Sequence, residues 1–207
     1  MISVLYRTPD LCVTAARVGG EGTLRAAEVE AAFGREYAAS LTHRQQSRTE
    51  ESFCAAALLL DTLALCGEKP SAVRRGEFGK PFFDGNGPAF SLSHDGGIAV
   101  CAISFGGEVG IDVCAVNRVS RMSASGRSAE RFLGPEAALR LESAAPGERG
   151  RIFASAWADL EALSKMRGGR LAESFGEDGP DGVRLYRFAL SSPFGECRAS
   201  VCRREKN

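Results

Sequence analysis

The sequence predicts an α+β fold. Three observations carry that prediction. Strand-like segments stand at both ends of the chain, at residues 2–6 and 11–18 and again at 183–190 and 197–202. Two stretches, from about Arg48 to Leu65 and from Arg151 to about Met166, repeat apolar residues at helical spacing. Between them Phe90–Ser93, Ile98–Ile103 and Val109–Val113 are short strands punctuated by glycines.

Taken in order, the two N-terminal strands are followed by a break at Gly19, Gly20 and Gly22. Residues 24–39, rich in Ala and Glu, read as one helix. The next helix carries Phe53, Ala56, Ala57, Leu60, Leu63 and Ala64 on its apolar face and stops at Gly67 and Pro70. Its polar N-terminal part brings Arg44 and Arg48, either as a solvated helix end or as an anion site. Pro81 fixes its own φ and pushes Lys80 towards an extended backbone, a setting in which the ammonium can be presented to a ligand. Residues 84–88 form a turn.

The strand at Phe90–Ser93 ends at His94, Asp95, Gly96 and Gly97. Ile98–Ile103 is an apolar strand, and residues 105–108 turn it back into Val109–Val113 as an antiparallel hairpin. Strand alternation puts Asp112 and Cys114 on one face. Residues 117–128 read as a loop, Pro135 opens a short helix, and residues 144–150 are another break. The last long helix carries Phe153, Trp157, Leu160 and Leu163 or Ser164 as its stripe, and Gly168 with Gly169 ends it. Residues 171–175 read as a strand before the C-terminal pair. There is no sequence repeat and no low-complexity linker.

Composition narrows the function. The chain of 207 residues suits one large domain or two small ones and can bury a core. Basic and acidic residues number 26 each, which argues against a non-specific nucleic-acid binder. No run of eighteen apolar residues predicts a membrane span, and no signal peptide is expected. Seven cysteines stand at 12, 54, 66, 101, 114, 197 and 202 with no Cys-x-x-Cys pair, and there are two histidines, so a zinc site is not expected. Apolar neighbours and the odd count predict reduced, mostly buried thiols in a cytoplasmic protein.

The chemistry centres on a few polar residues in apolar settings. Asp112 lies between Ile111 and Val113, where an ionised carboxylate needs a partner, a hydrogen-bond network or a metal. Glu161 and Lys165 share a helix face, as an exposed ion pair or as part of a site. Ser93, His94 and Asp95 are consecutive, so they cannot form a hydrolase triad, and no Gly-x-Ser-x-Gly elbow is present.

The order of these pieces is more specific than any one of them. Gly79-Lys80-Pro81, then Phe90 to Gly96 with Ser93 and His94, then Val109-Gly110-Ile111-Asp112, then Trp157, Glu161 and Lys165, resembles the 4′-phosphopantetheinyl transferases. The long, surfactin-synthetase-activating type is the most similar. The stretch Arg48 to Leu60, the segment Phe132 to Glu136 and the turn Gly168 to Leu171 fit the same pattern, so the resemblance spans residues 44–171.

The resemblance implies two similar α+β halves, residues 1–106 and 107–207, with a site between them and the boundary near residues 105–108. It implies a monomer that moves phosphopantetheine from coenzyme A to a serine of an acyl or peptidyl carrier protein, releasing 3′,5′-adenosine bisphosphate. Mg²⁺ would be held by Asp112 and Glu161, an all-oxygen donor pair that suits this ion. Glu161 would also take the proton of the carrier serine, and Lys165 would bind the diphosphate. Arg48, Lys80 and His94 would hold the adenine-bearing end and its 3′-phosphate, with Ser93 and Pro81 lining that pocket. Trp157 would pack and fix the helix.

Two positions depart from the family pattern. Cys114 stands where a second strand carboxylate is usual, and a thiol is a poor magnesium ligand. Leu160 stands where a phosphate-contacting lysine is usual. These departures motivate a second reading, a non-catalytic relative that binds coenzyme A or a carrier protein. A third is an enzyme that uses coenzyme A or a nucleotide diphosphate differently.

Overall fold

The computed structural model describes residues 2–19, 25–119, 132–175 and 182–204. Its architecture is mixed α+β. A first antiparallel sheet has the order β1-β2-β6-β5, with β1 at Ile2–Arg7, β2 at Leu11–Arg17, β5 at Ala89–Asp95 and β6 at Ile98–Ser104. A second has the order β7-β9-β8, with β7 at Val109–Ala115, β8 at Val183–Ser192 and β9 at Gly195–Arg204. A small ribbon pairs β3 at Val73–Arg75 with β4 at Pro81–Phe83.

The two main sheets pack face to face. Alternation sends Leu11, Val13 and Ala15 of β2 and Ile98, Val100 and Ala102 of β6 into one shared core, where they meet Val109, Ile111 and Val113 of β7 and Ala199 and Val201 of β9. Helices cover the outer faces. On the first sheet lie α1 (Ala26–Phe33), α2 (Arg35–Ser40) and the long α3 (Gln46–Cys66), whose Phe53, Ala56 and Leu59 join Cys101 and Ile103 in a second core. On the second sheet lies α6 (Pro146–Arg167), reached through the short α4 (Val116–Val119) and α5 (Pro135–Ser143). The result is four layers, helix, sheet, sheet and helix.

One path is traced twice. Strand, long helix and hairpin run as β2-α3-β5-β6 and again as β7-α6-β8-β9. In both, the last strand inserts antiparallel beside the first, giving β2-β6-β5 and β7-β9-β8. The chain passes from one sheet to the other between Ser104 and Val109.

Several expectations need correction. β6 and β7 are not a hairpin. β6 already has β2 on one edge and β5 on the other, so it offers no free edge, and β7 finds β9 instead. The hairpin of this region is β5–β6, closed at Gly96 and Gly97. Residues 26–40 form two helices, because Gly34 takes a φ of 97° between them. Residues 171–174 form a 3-10 turn, in which Glu173 accepts a hydrogen bond from the Arg170 amide. α6 begins earlier than the periodicity indicates, with Pro146 in its first turn. Most of the loop expected at 117–128 and the break at Gly20 and Gly22 lie outside the described residues, while residues 117–119 belong to α4. Among the described residues, no helix is long and apolar enough to cross a membrane.

Candidate active site

The junction of the two sheets is built by short polar side chains. β7 is an edge strand of its sheet, and its outward amides face β5. Ser91 Oγ accepts from the Ile111 amide at 3.1 Å, Ser93 Oγ from Val113 at 3.4 Å, and the Asp95 carboxylate from Ala115 at 2.8 Å. Alternate β5 side chains thus satisfy alternate β7 amides where no strand pairs. Ser93 does a second job, donating to Asp112 Oδ1 at 2.6 Å.

On the other face of β7, Asp112 and Cys114 point towards α6, as alternation predicts. Gly110 lets the helix come close, since a Cβ there would collide with the Ala162 carbonyl oxygen and the Met166 amide. At that distance Lys165 reaches Asp112, and its Nζ donates to Oδ1 at 2.6 Å and to the Leu92 carbonyl at 3.4 Å. Glu161, one helical turn earlier, meets the same carboxylate. Burial, then the negative charge of Asp112, pushes the Glu161 carboxyl up to about 7, with the Lys165 ammonium opposing. Asp112 itself is nearly fully buried.

These groups form part of the wall of a cleft of about 510 Å³ between the two sheet–helix units. Asp112, Glu161, Lys165, Ser93, His94 and Pro81 all line it. Phe153 and Trp157 form its apolar side, with rings stacked at 5.9 Å and 8°. Cys114 also faces the cleft, and none of the seven cysteines is in a disulfide.

At the opposite wall, His94 is held from two sides by α3. Its Nδ1 lies 3.2 Å from the Glu51 carboxylate and its Nε2 lies 3.3 Å from Ser52 Oγ. The same hydroxyl is 3.0 Å from Nε2 of His43. Burial lowers the His94 pKa, Glu51 opposes, and Lys165 adds to the lowering.

Two expected ligands stand elsewhere. Arg48 is exposed in the first turn of α3 and does not line the cleft. Lys80 turns away from it, donating to the main-chain carbonyls of Met166 at 3.0 Å and Val109 at 3.2 Å. Leu160 faces a second groove, beside Asp159, Leu163 and Arg187, so that position does not contribute to the cleft.

Three polar residues of the cleft, Tyr37, Ser52 and Arg75, escaped the sequence reading. Arg75 sits over the Tyr37 ring at 5.4 Å and is braced by Ser40 Oγ and the Gly79 carbonyl. Burial pushes the Tyr37 hydroxyl up to about 12. Ser52 is a buried hydroxyl on an otherwise apolar helix face, and that was its available signal. For Arg75 the signal was the Arg74-Arg75 pair just before a glycine.

Asp112 and Glu161 fit a hard divalent cation in one respect, since both are carboxyl groups in mutual contact, with Lys165 as the neighbouring cation. Among the described residues no group of three or more His, Cys, Asp or Glu is placed for a metal, so the remaining ligands would be substrate oxygens and water. A scan against models of known protein families finds no match, and a search of curated proteins returns no relative.

Proposed function

We propose that the chain transfers 4′-phosphopantetheine from coenzyme A to a serine hydroxyl of an acyl or peptidyl carrier protein. The observation that carries this reading is the meeting of Asp112, Glu161 and Lys165 on one side of a cleft between two sheet–helix units of the same topology. The twofold path is what the 4′-phosphopantetheinyl transferase fold implies, and the cleft falls within the volume range of small-molecule sites.

In this reading Glu161 is the general base. Burial and the charge of Asp112 raise the basicity of the Glu161 carboxylate in the metal-free protein, which favours taking a proton. The serine oxygen attacks the phosphorus that bears the pantetheine arm, and 3′,5′-adenosine bisphosphate leaves. Lys165, already placed beside Asp112, supplies fixed positive charge for the diphosphate. At the far wall Arg75 offers guanidinium donors for the nucleotide end, and His94, held by Glu51 and Ser52, lines the wall beside it. Mg²⁺ bound by Asp112 and Glu161 would offset charge that develops on the diphosphate oxygens.

The test is incubation with coenzyme A, Mg²⁺ and a panel of apo carrier proteins, followed by intact mass of each carrier. The expected result is a gain of one phosphopantetheine that disappears on chelation. Asp112→Ala and Glu161→Ala should each abolish the gain while the protein stays folded by circular dichroism. Wild-type turnover in either variant would remove the metal-ligand assignment.

Cys114 favours one rival, a relative that binds without transferring. Its signature is coenzyme A binding by calorimetry with no transfer across the panel. Cys114→Glu is then the informative restoration. Leu160→Lys is not, because that side chain points into the other groove.

A further inference from the structure

Lys80 has the least expected placement of any predicted ligand. It closes a turn in which the Gly76 amide donates to the Lys80 carbonyl at 2.9 Å, and Pro81 follows. Its stem runs along the glycine that caps α6, since a Cβ on Gly168 would lie 3.6 Å from Lys80 Cδ. Its ammonium then meets two main-chain carbonyls, Met166 and Val109.

Both acceptors suit a half-buried cation. Met166 is in the last turn of α6, where carbonyls lack intrahelical donors and the helix dipole is negative. Val109 opens β7. These are also the two elements that carry the carboxyl groups and lysine of the cleft. Met166 directly follows Lys165, and Val109 precedes Asp112 by one turn of strand alternation and a half. With two of its three donors spent on the main chain and its side chain off the cleft wall, unlike Lys165, this ammonium is directed at the fold rather than at a ligand.

We propose, on the basis of the transfer reading above, that Lys80 is a positioning residue: it clamps the C-terminal end of α6 to the start of β7 and so holds Glu161 and Lys165 against Asp112, rather than contacting coenzyme A. It reaches from the first sheet–helix unit to the second, which makes the geometry of the carboxyl pair depend on how the two units sit together.

Lys80→Met keeps the stem and removes the donors. The expected result is a kcat lower by about tenfold or more, with KM and calorimetric Kd for coenzyme A within about twofold of wild type. Lys80→Arg, which restores a cation with donors, should recover most of the lost kcat. A Kd weakened by about tenfold with kcat intact overturns the proposal, and so does an unchanged kcat.

A second measurement uses the wild-type chain and needs no turnover. Lysines are reductively methylated with ¹³C-formaldehyde and followed by NMR with and without coenzyme A. Lys80 should react far more slowly than exposed Lys69 in both samples. A Lys80 that reacts as fast as Lys69 and is shielded by coenzyme A overturns the proposal. If wild type transfers nothing, the transfer reading fails while methylation still decides the placement of Lys80.

Discussion

At the scale of single residues, the proton inventory of the cleft is the most informative feature. Glu161 is raised in the fold from its ordinary value to about 7, so the fold favours its neutral form. That stabilising contribution is complete below the ordinary carboxylate pKa and is lost as pH rises through about 7. In metal-free protein, Glu161→Gln should therefore be more stable than wild type at pH 8, by on the order of 2 kcal/mol, with the advantage vanishing below about pH 4. Urea unfolding at the two pH values checks this, and an equal gain at both would contradict it. His94 carries the opposite balance. Glu51 is the main group that resists the lowering of its pKa by burial and Lys165, with Asp95 a weaker ally. Glu51→Gln should move the His94 ring titration further down, as read from its NMR shifts.

At the scale of elements, the contact between α6 and β7 depends on one missing side chain. Gly110→Ala would drive a methyl group into the backbone of α6 at Ala162 and Met166, neither of which is a flexible side-chain end. The expected cost is about 3 kcal/mol or more in urea unfolding, and the lysine–carboxylate contact should be lost with it. The junction strand gives a milder case. Ser91→Ala leaves the buried Ile111 amide without its acceptor, which should cost about 1–3 kcal/mol without changing the cleft. The sequence made the long helices legible because their apolar spacing and glycine stops are local signals. Gly67 and Gly168 both take the left-handed conformation at those ends. It made Asp112 legible because a carboxylate between Ile111 and Val113 is rare, whereas Glu161 and Lys165, a common helix pair by spacing, stood out only through the order of the motifs. It could not show that Lys80 stands off the cleft, since the direction of that side chain is set by carbonyls far away in the chain, nor that the first turn of α3, with Arg48, lies outside it. Nor could it show that β7 leaves β6, because the choice of pairing depends on which edges are already taken.

At the scale of the whole molecule, the two units share a core. Leu11, Val13 and Val100 on one sheet pack against Ile111, Val113 and Val201 on the other, all of them buried. Residues 1–106 and 107–207 expressed separately would each expose that face to water. Each is expected to lack cooperative unfolding alone and to recover it on mixing, by circular dichroism against urea. Two fragments that each unfold cooperatively would show that the shared core is dispensable. The doubled path was invisible in the residues, which show no repeat, because a topology is specified by apolar pattern and leaves side-chain identity free.

The serine and aspartate rungs between β5 and β7 have a dynamic consequence. An amide held by a neighbouring strand exchanges with solvent only when the ladder frays, whereas an amide held by a hydroxyl is released when one side chain rotates. On β7, the amides of Ile111, Val113 and Ala115 face those rungs, while the intervening amides face β9. The strand should therefore show a two-residue rhythm in deuterium uptake, fast beside β5 and slow beside β9. A seam of that kind can breathe along the floor of the cleft while both sheets stay intact.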